Sequence, residues 1–124
     1  MTVRAIRGAT QLDSDDQEHL LARTRELLEA VVARNGLTHD DFISILFTST
    51  SDLRSAFPAV AARQAGFTDV PLMCARELDI EGSLPRAVRL MAHVESDKPK
   101  ADIQHVYLHG ATVLRPDIAG QSDD

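Results

Sequence analysis

Residues 86–95, Arg86-Ala87-Val88-Arg89-Leu90-Met91-Ala92-His93-Val94-Glu95, alternate without a break. Val88, Leu90, Ala92 and Val94 fall on one side of an extended chain, and Arg89, Met91 and His93 on the other. Side chains of a strand point to opposite faces with a period of two, so this stretch predicts a strand with one face in a core. Its second face is apolar enough to be covered, yet it carries a guanidinium. Residues 105–109 repeat the pattern, with Val106 and Leu108 opposed to His105, Tyr107 and His109.

Working outward, residues 3–9 read as a strand with Val3, Ala5, Arg7 and Ala9 on one face. Phe42-Ile43-Ser44-Ile45-Leu46-Phe47-Thr48 is bulky and β-prone and reads as a central strand, and residues 70–74 as a short one. Between them, Ser14 followed by Gln17 has the form of a capping box opening a helix. That helix carries Leu20, Leu21, Leu27, Leu28, Val31 and Val32 on one stripe, and Gly36 stops it by entering the left-handed region without a Cβ to clash. Thr38 and Asp41 suit the cap of a short turn, and Pro58 suits the first turn of a short helix over 58–65 ended by Gly66. The fold class expected is α+β or mixed α/β: about five strands in a mixed sheet, backed by one long helix and one short helix. The second sheet face is what a sheet-lined pocket or a subunit interface needs.

One domain over residues 1–119 fits the length of 124 residues, with a short polar tail at 120–124. Hydrophobic residues make up 44%, enough for a core, but a domain this small leaves much surface that an oligomer interface would cover. No run approaches the roughly 18 apolar residues of a membrane span, and the first residues lack the apolar segment of a secretory signal. Cys74 is the single cysteine, which excludes an intrachain disulfide and suits a reducing compartment, so the cytoplasm is expected. The formal charge of −6 argues against nucleic acid or anionic lipid as the main partner. The acid concentrates in 13–29, 40–41 and 123–124, which leaves room for a local arginine cluster that would bind a small anion.

No glycine-rich phosphate loop is present. The five histidines lack metalloprotease spacing, His105 and His109 read as surface residues, and a single cysteine excludes a cysteine-rich zinc site, so no metal is expected. A nucleophilic Cys74 would need an activating base that the sequence does not mark, and it reads as a small strand residue. What remains is arginine on strands: Arg7, Arg89, and Arg115 closing Val113-Leu114 before Pro116. Arginine on a strand is ordinarily an outward, solvated residue. A guanidinium also offers a planar fork of donors that holds a carboxylate at two points, and Arg89 and Tyr107 share the less apolar register of two strands. Glu77 either orients an arginine, meets a positive part of a ligand, or is a surface carboxylate. The residues thus permit an anion-binding arginine set without specifying a reaction.

Several stretches resemble the monofunctional, AroH-type bacterial chorismate mutases. They are Val3-Arg4-Ala5-Ile6-Arg7-Gly8-Ala9-Thr10, Asp52-Leu53-Arg54-Ser55-Ala56-Phe57-Pro58-Ala59, Val70-Pro71-Leu72-Met73-Cys74-Ala75-Arg76-Glu77, Gly82-Ser83-Leu84-Pro85-Arg86-Ala87-Val88-Arg89, His105-Val106-Tyr107-Leu108, and Ala111-Thr112-Val113-Leu114-Arg115-Pro116-Asp117. They run in order from residue 3 to about residue 118. The resemblance implies a homotrimer whose sheets form a pseudo-α/β barrel, with active sites at the subunit clefts. It implies the [3,3] rearrangement of chorismate to prephenate, on the route to phenylalanine and tyrosine, with no cofactor.

By motif, the resemblance makes Arg89 the cation at the breaking ether oxygen. Arg7 and Tyr107 would hold carboxylate or ether oxygens, Glu77 would accept the ring hydroxyl, and Met73, Cys74, Ala75 and Arg76 would form the adjoining wall. Phe57 and Arg63 would come from the neighbouring subunit, and Leu114 and Arg115 would partly cover the cleft. Val60 departs from the pattern, since some members carry a rim lysine there. Two other readings stand beside this one. The trimeric imine and enamine deaminases also hold a carboxylate with an arginine at a cleft, but the contexts of Arg89 and Tyr107 fit them poorly. A metabolite sensor would have no need of a cation at a breaking bond.

Overall fold

In the computed structural model, which describes residues 2–114, the alternating stretch at 86–95 becomes the middle strand of a five-stranded mixed sheet. The strands are β1 (Thr2–Gln11), β2 (Phe42–Ser49), β3 (Leu72–Arg76), β4 (Ala87–Ser96) and β5 (Val106–Tyr107), in the spatial order β3-β2-β4-β1-β5. β4 runs antiparallel to both β1 and β2, while β3 is parallel to β2 and β5 is parallel to β1. Phe42–Ser49 is therefore an interior strand, as its bulk predicts, although the centre of the sheet belongs to β4. A bulge between Phe42 and Ser44 shifts the β2–β4 register.

Two helices, α1 (Gln17–Asn35) and α2 (Pro58–Gln64), cover one face. The row Ile6, Ile45, Phe47, Leu90, Ala92 and Val94 buries against Leu27, Leu28 and Val31 of α1 and Ala59 and Ala62 of α2. Burying side chains of this size contributes about 1.5–3 kcal/mol each, which is what binds the helices to the sheet. Gly8 packs closely on this face. A Cβ there would sit 3.2 Å from a methyl of Leu27 and 3.3 Å from Leu90, so these side chains would have to give by a few tenths of an ångström.

Helix α1 does not begin with the Ser14–Gln17 capping box. Its N-cap is Asp16, whose Oδ2 accepts the His19 backbone N–H at 3.0 Å. A carboxylate also complements the helix dipole, so the acidic residue nearest Gln17 takes the role. At the other end Gly36 lies in the left-handed region at φ 62° and donates to Ala33, as its position predicts. In the predicted stripe Leu20, Leu27, Leu28 and Val31 are buried, whereas Leu21 and Val32 are half-buried. The expected Thr38–Asp41 cap is present, with the Thr38 N–H donating to Asp41 Oδ2 at 2.8 Å.

Strand ends shift by one or two residues in β1, β2 and β4, and two strands depart from expectation for a visible reason. β3 starts at Leu72, because the Pro71 carbonyl is the first group there to pair with β2. Residues 105–109 hold only a two-residue strand, since His109 turns to φ 54° and opens a 3-10 turn over His109–Leu114. Among the described residues, no helix is long and apolar enough to cross a membrane.

Candidate active site

The chemistry lies on the sheet face turned away from the helices, and register alone places most of it. Thr48 pairs with both Ala75 and Arg89, Ala9 pairs with Arg89, and Ala9 pairs with Tyr107. One transverse row therefore reads Ala75, Thr48, Arg89, Ala9, Tyr107. The next row reads Met73, Leu46, Met91, Arg7 by the same pairings. Small Ala9 between Arg89 and Tyr107 leaves space over the sheet, and Arg7, Thr48, Arg89 and Tyr107 with Leu46 and Met91 line a hollow of about 210 Å³.

Glu77 enters this row from just beyond β3. Its backbone N–H donates to the Ser49 carbonyl at 3.0 Å, which extends the ladder by a residue and turns the side chain over Thr48 and Arg89. Arg89 Nε donates to Glu77 Oε2 at 2.7 Å, and Arg89 Nη2 donates to Glu77 Oε1. Thr48 Oγ1 donates to Oε2 at 2.7 Å. The Glu77 side chain is 8% exposed and that of Arg89 27%, so this two-point pair is sheltered from water and its charge is not heavily screened. Arg89 and Glu77 also border a second hollow of about 380 Å³, walled by Ser83, Leu84, Pro85, Val113 and Leu114.

Phe57, Cys74, Ala75 and Arg76 line a separate hollow of about 540 Å³ that also includes Arg54 and Val60. Phe57 is 70% exposed there. Thus Arg7, Arg89 and Tyr107 come together, Glu77 and Leu114 join them through Arg89, and Arg76 borders both the Phe57 hollow and a further hollow with Thr48, Glu77 and Arg89. Met73 is exposed on the outward row, and Arg63 is exposed on the last turn of α2. Arg115 lies outside the described residues.

Thr48 was not singled out by the sequence, although counting by twos from Leu46 puts it on the outward face. Ser83 and Leu84 had no signal beyond their place in an irregular stretch before β4. Among the described residues, no group of three or more His, Cys, Asp or Glu side chains is placed to hold a metal ion.

The site can hold an anion between Arg7, Arg89 and Tyr107, with Glu77 fixing the arginine in the middle. The chain is similar to known proteins by family model, by sequence and by structure. The family model described as "Chorismate mutase type I" matches residues 3–118. The chorismate mutase AroH of Bacillus subtilis (strain 168) is 40% identical over 120 residues, 96% of this chain and 94% of that protein. Its counterpart in Thermus thermophilus is 46% identical over 117 residues, 94% of this chain and 96% of that protein. A solved structure of a chorismate mutase from Clostridium thermocellum superposes with a TM-score of 0.88 at 51% identity, covering 90% of this chain and 99% of that one.

Proposed function

The chain belongs to the type I chorismate mutase family, an isomerase that converts chorismate to prephenate in aromatic amino acid biosynthesis, and we propose that it does so by gripping the dianion in the Arg7–Arg89–Tyr107 hollow. The rearrangement is intramolecular, so the protein's task is to hold a flexible substrate with its reacting carbons together and to favour the charge separation of the half-broken state. Holding reacting groups in place can lower a barrier by several kcal/mol.

Arg89 is the group that acts on the reacting atoms. As the ether bond breaks, negative charge grows on its oxygen, and a guanidinium already fixed beside it binds that state better than the ground state. The observation that carries this assignment is the two-point bond from Glu77, which orients Arg89 before any ligand arrives. Glu77 also accepts the ring hydroxyl and faces the electron-poor ring. Arg7 and Tyr107 bind carboxylate or ether oxygens at one end, and Leu114 partly covers the cleft.

The remaining wall, Phe57 and Arg63 with Met73, Cys74, Ala75 and Arg76, belongs to a cleft shared between copies in a homotrimer. Supporting this are the outward rows of the sheet, where Val3, Leu46 and Met73 stand exposed, and the exposed Phe57, which lines a hollow that does not include Arg89. The protein works in the cytoplasm as a single domain over residues 1–119. Purified protein should consume chorismate, followed by the loss of its ultraviolet absorbance, and should scatter light as three subunits. An intact protein that leaves chorismate untouched would refute the assignment, and an active monomer would refute the shared cleft.

A further inference from the structure

We infer that His105 is a positioning residue for the ligand-binding end of β1 and β5, acting through the backbone of Arg7; this deepens the reading above and rests on it.

The Arg7 backbone N–H donates to His105 Nδ1 at 3.0 Å. In the parallel β1–β5 ladder Gly8 pairs with Val106 and Ala9 with Tyr107, so His105 stands where the next partner of Arg7 belongs. A side-chain nitrogen thus supplies the rung that a strand carbonyl would supply, and it does so at the start of a strand only two residues long. The far end of that strand is held by the Leu108 N–H on the Ala9 carbonyl at 2.9 Å. Between these two rungs lies Tyr107, facing the same hollow as Arg7 and Arg89.

The chain just before His105 is itself clamped. Asn35, buried at the end of α1, accepts the Gln104 N–H at 2.8 Å and donates to the Gln104 carbonyl at 2.9 Å. His105 is therefore the link that carries the rigidity of α1 into β1 at Arg7. Losing it leaves β5 registered by fewer bonds and lets Arg7 and Tyr107 drift together, away from one end of the substrate.

As an acceptor, Nδ1 must be unprotonated, with the ring proton on Nε2. The groups facing the ring favour that form. Arg7 and Arg4 approach from β1, His93 from β4 and Lys100 from the 3-10 turn before β5, with Val3, Ala5 and Ile103 completing a hollow of about 340 Å³. Partial desolvation first, and then the charge of Arg7, holds the pKa of His105, which still meets solvent, below its ordinary value of 6.5. Protonation turns the acceptor into a donor facing another donor and breaks the rung.

The test compares wild type, His105→Ala and His105→Asn, whose side-chain oxygen can take the place of Nδ1. His105→Ala should raise KM for chorismate several-fold while kcat falls less, and His105→Asn should recover most of the loss. The wild-type kcat/KM should fall as pH drops below the ordinary histidine range, and His105→Asn should lack that fall. Protection of the Arg7 amide against exchange, taken relative to the intrinsic rate at each pH with no substrate present, should fall in His105→Ala and in acidified wild type, but not in His105→Asn. This last measurement decides the role of His105 even if the protein proves inactive on chorismate. Unchanged kinetics and exchange in His105→Ala, or an Asn variant as impaired as the Ala variant, would overturn the inference.

Discussion

Glu77 holds Arg89 by both carboxylate oxygens while Thr48 donates to one of the same oxygens, so the cation at the middle of the sheet is oriented by its neighbours on β2 and beyond β3. A sheltered pair of this kind gains little net stability, because desolvating two charges costs about what their attraction returns. In the proposed mechanism its value lies in geometry, since the guanidinium need not reorganise when charge develops beside it.

Removing that guanidinium should therefore act on the chemical step. Arg89→Ala should lower kcat by about 10²–10³ or more, the loss typical of one oxyanion donor. Arg89→Lys should recover little, because an ammonium cannot make the two-point contact with Glu77. Chorismate absorbance reads the rate, and light scattering should show an unchanged subunit number.

Thr48→Val keeps the shape at β2 and deletes the donor to Glu77 Oε2. A hydrogen bond to a charged group contributes about 1.5–3 kcal/mol, so kcat/KM should fall by about 10- to 100-fold. Thr48→Ser should restore it, as read by the loss of chorismate absorbance.

The alternation at 86–95 and at 3–9 was legible because a half-buried strand must repeat every two residues; it set Arg89 opposite the apolar face of its strand and put Arg7 on one face with Val3, Ala5 and Ala9, without saying which face met the helices. The strand order was not, because pairing β1 with both β4 and β5 depends on contacts between residues about 80 to 100 positions apart in sequence. The Ser14 cap failed for a local reason: three acceptors follow one another at Asp13, Asp15 and Asp16, and only geometry chooses among them. Glu77 had three readings: its two-point bond shows it orienting Arg89, and its shelter from water removes the surface carboxylate. Thr48 was hidden because a threonine in a β-prone run reads as strand filler.

Asp15 accepts the backbone N–H groups of Arg54 and Ser55 at 2.9 and 3.1 Å, tying the start of α1 to the loop before α2. The Ser55 hydroxyl, then these backbone donors and the charge of Arg54, outweigh desolvation and hold its pKa below 3.8. A carboxyl depressed in the folded state adds stability that is complete above its unfolded pKa and disappears as pH falls through its folded value. Asp15→Ala should accordingly be less stable than wild type at neutral pH. The gap should close in acid below pH 3.8, as followed by urea unfolding at fixed protein concentration.

The proposed shared cleft makes a prediction about mixtures. Arg89→Ala and Arg63→Ala chains, each weakly active alone, should regain activity when unfolded and refolded together. In a randomly assorted cyclic trimer at equal proportions, about a quarter of the clefts join an intact Arg89 to an intact Arg63. Activity that stays at the average of the two separate variants would mean that both residues serve one chain's own cleft.

The two rows of each strand answer to different demands. Ile6, Leu90 and Val94 fasten the sheet to α1 and α2, while Arg7, Arg89 and Tyr107 look the other way and contribute little to that fastening. A lineage can therefore rework the outward row residue by residue, altering which guest is welcomed, while the inward row keeps the scaffold standing. Selection on turnover and selection on durability are free to proceed on alternate letters of the same strand.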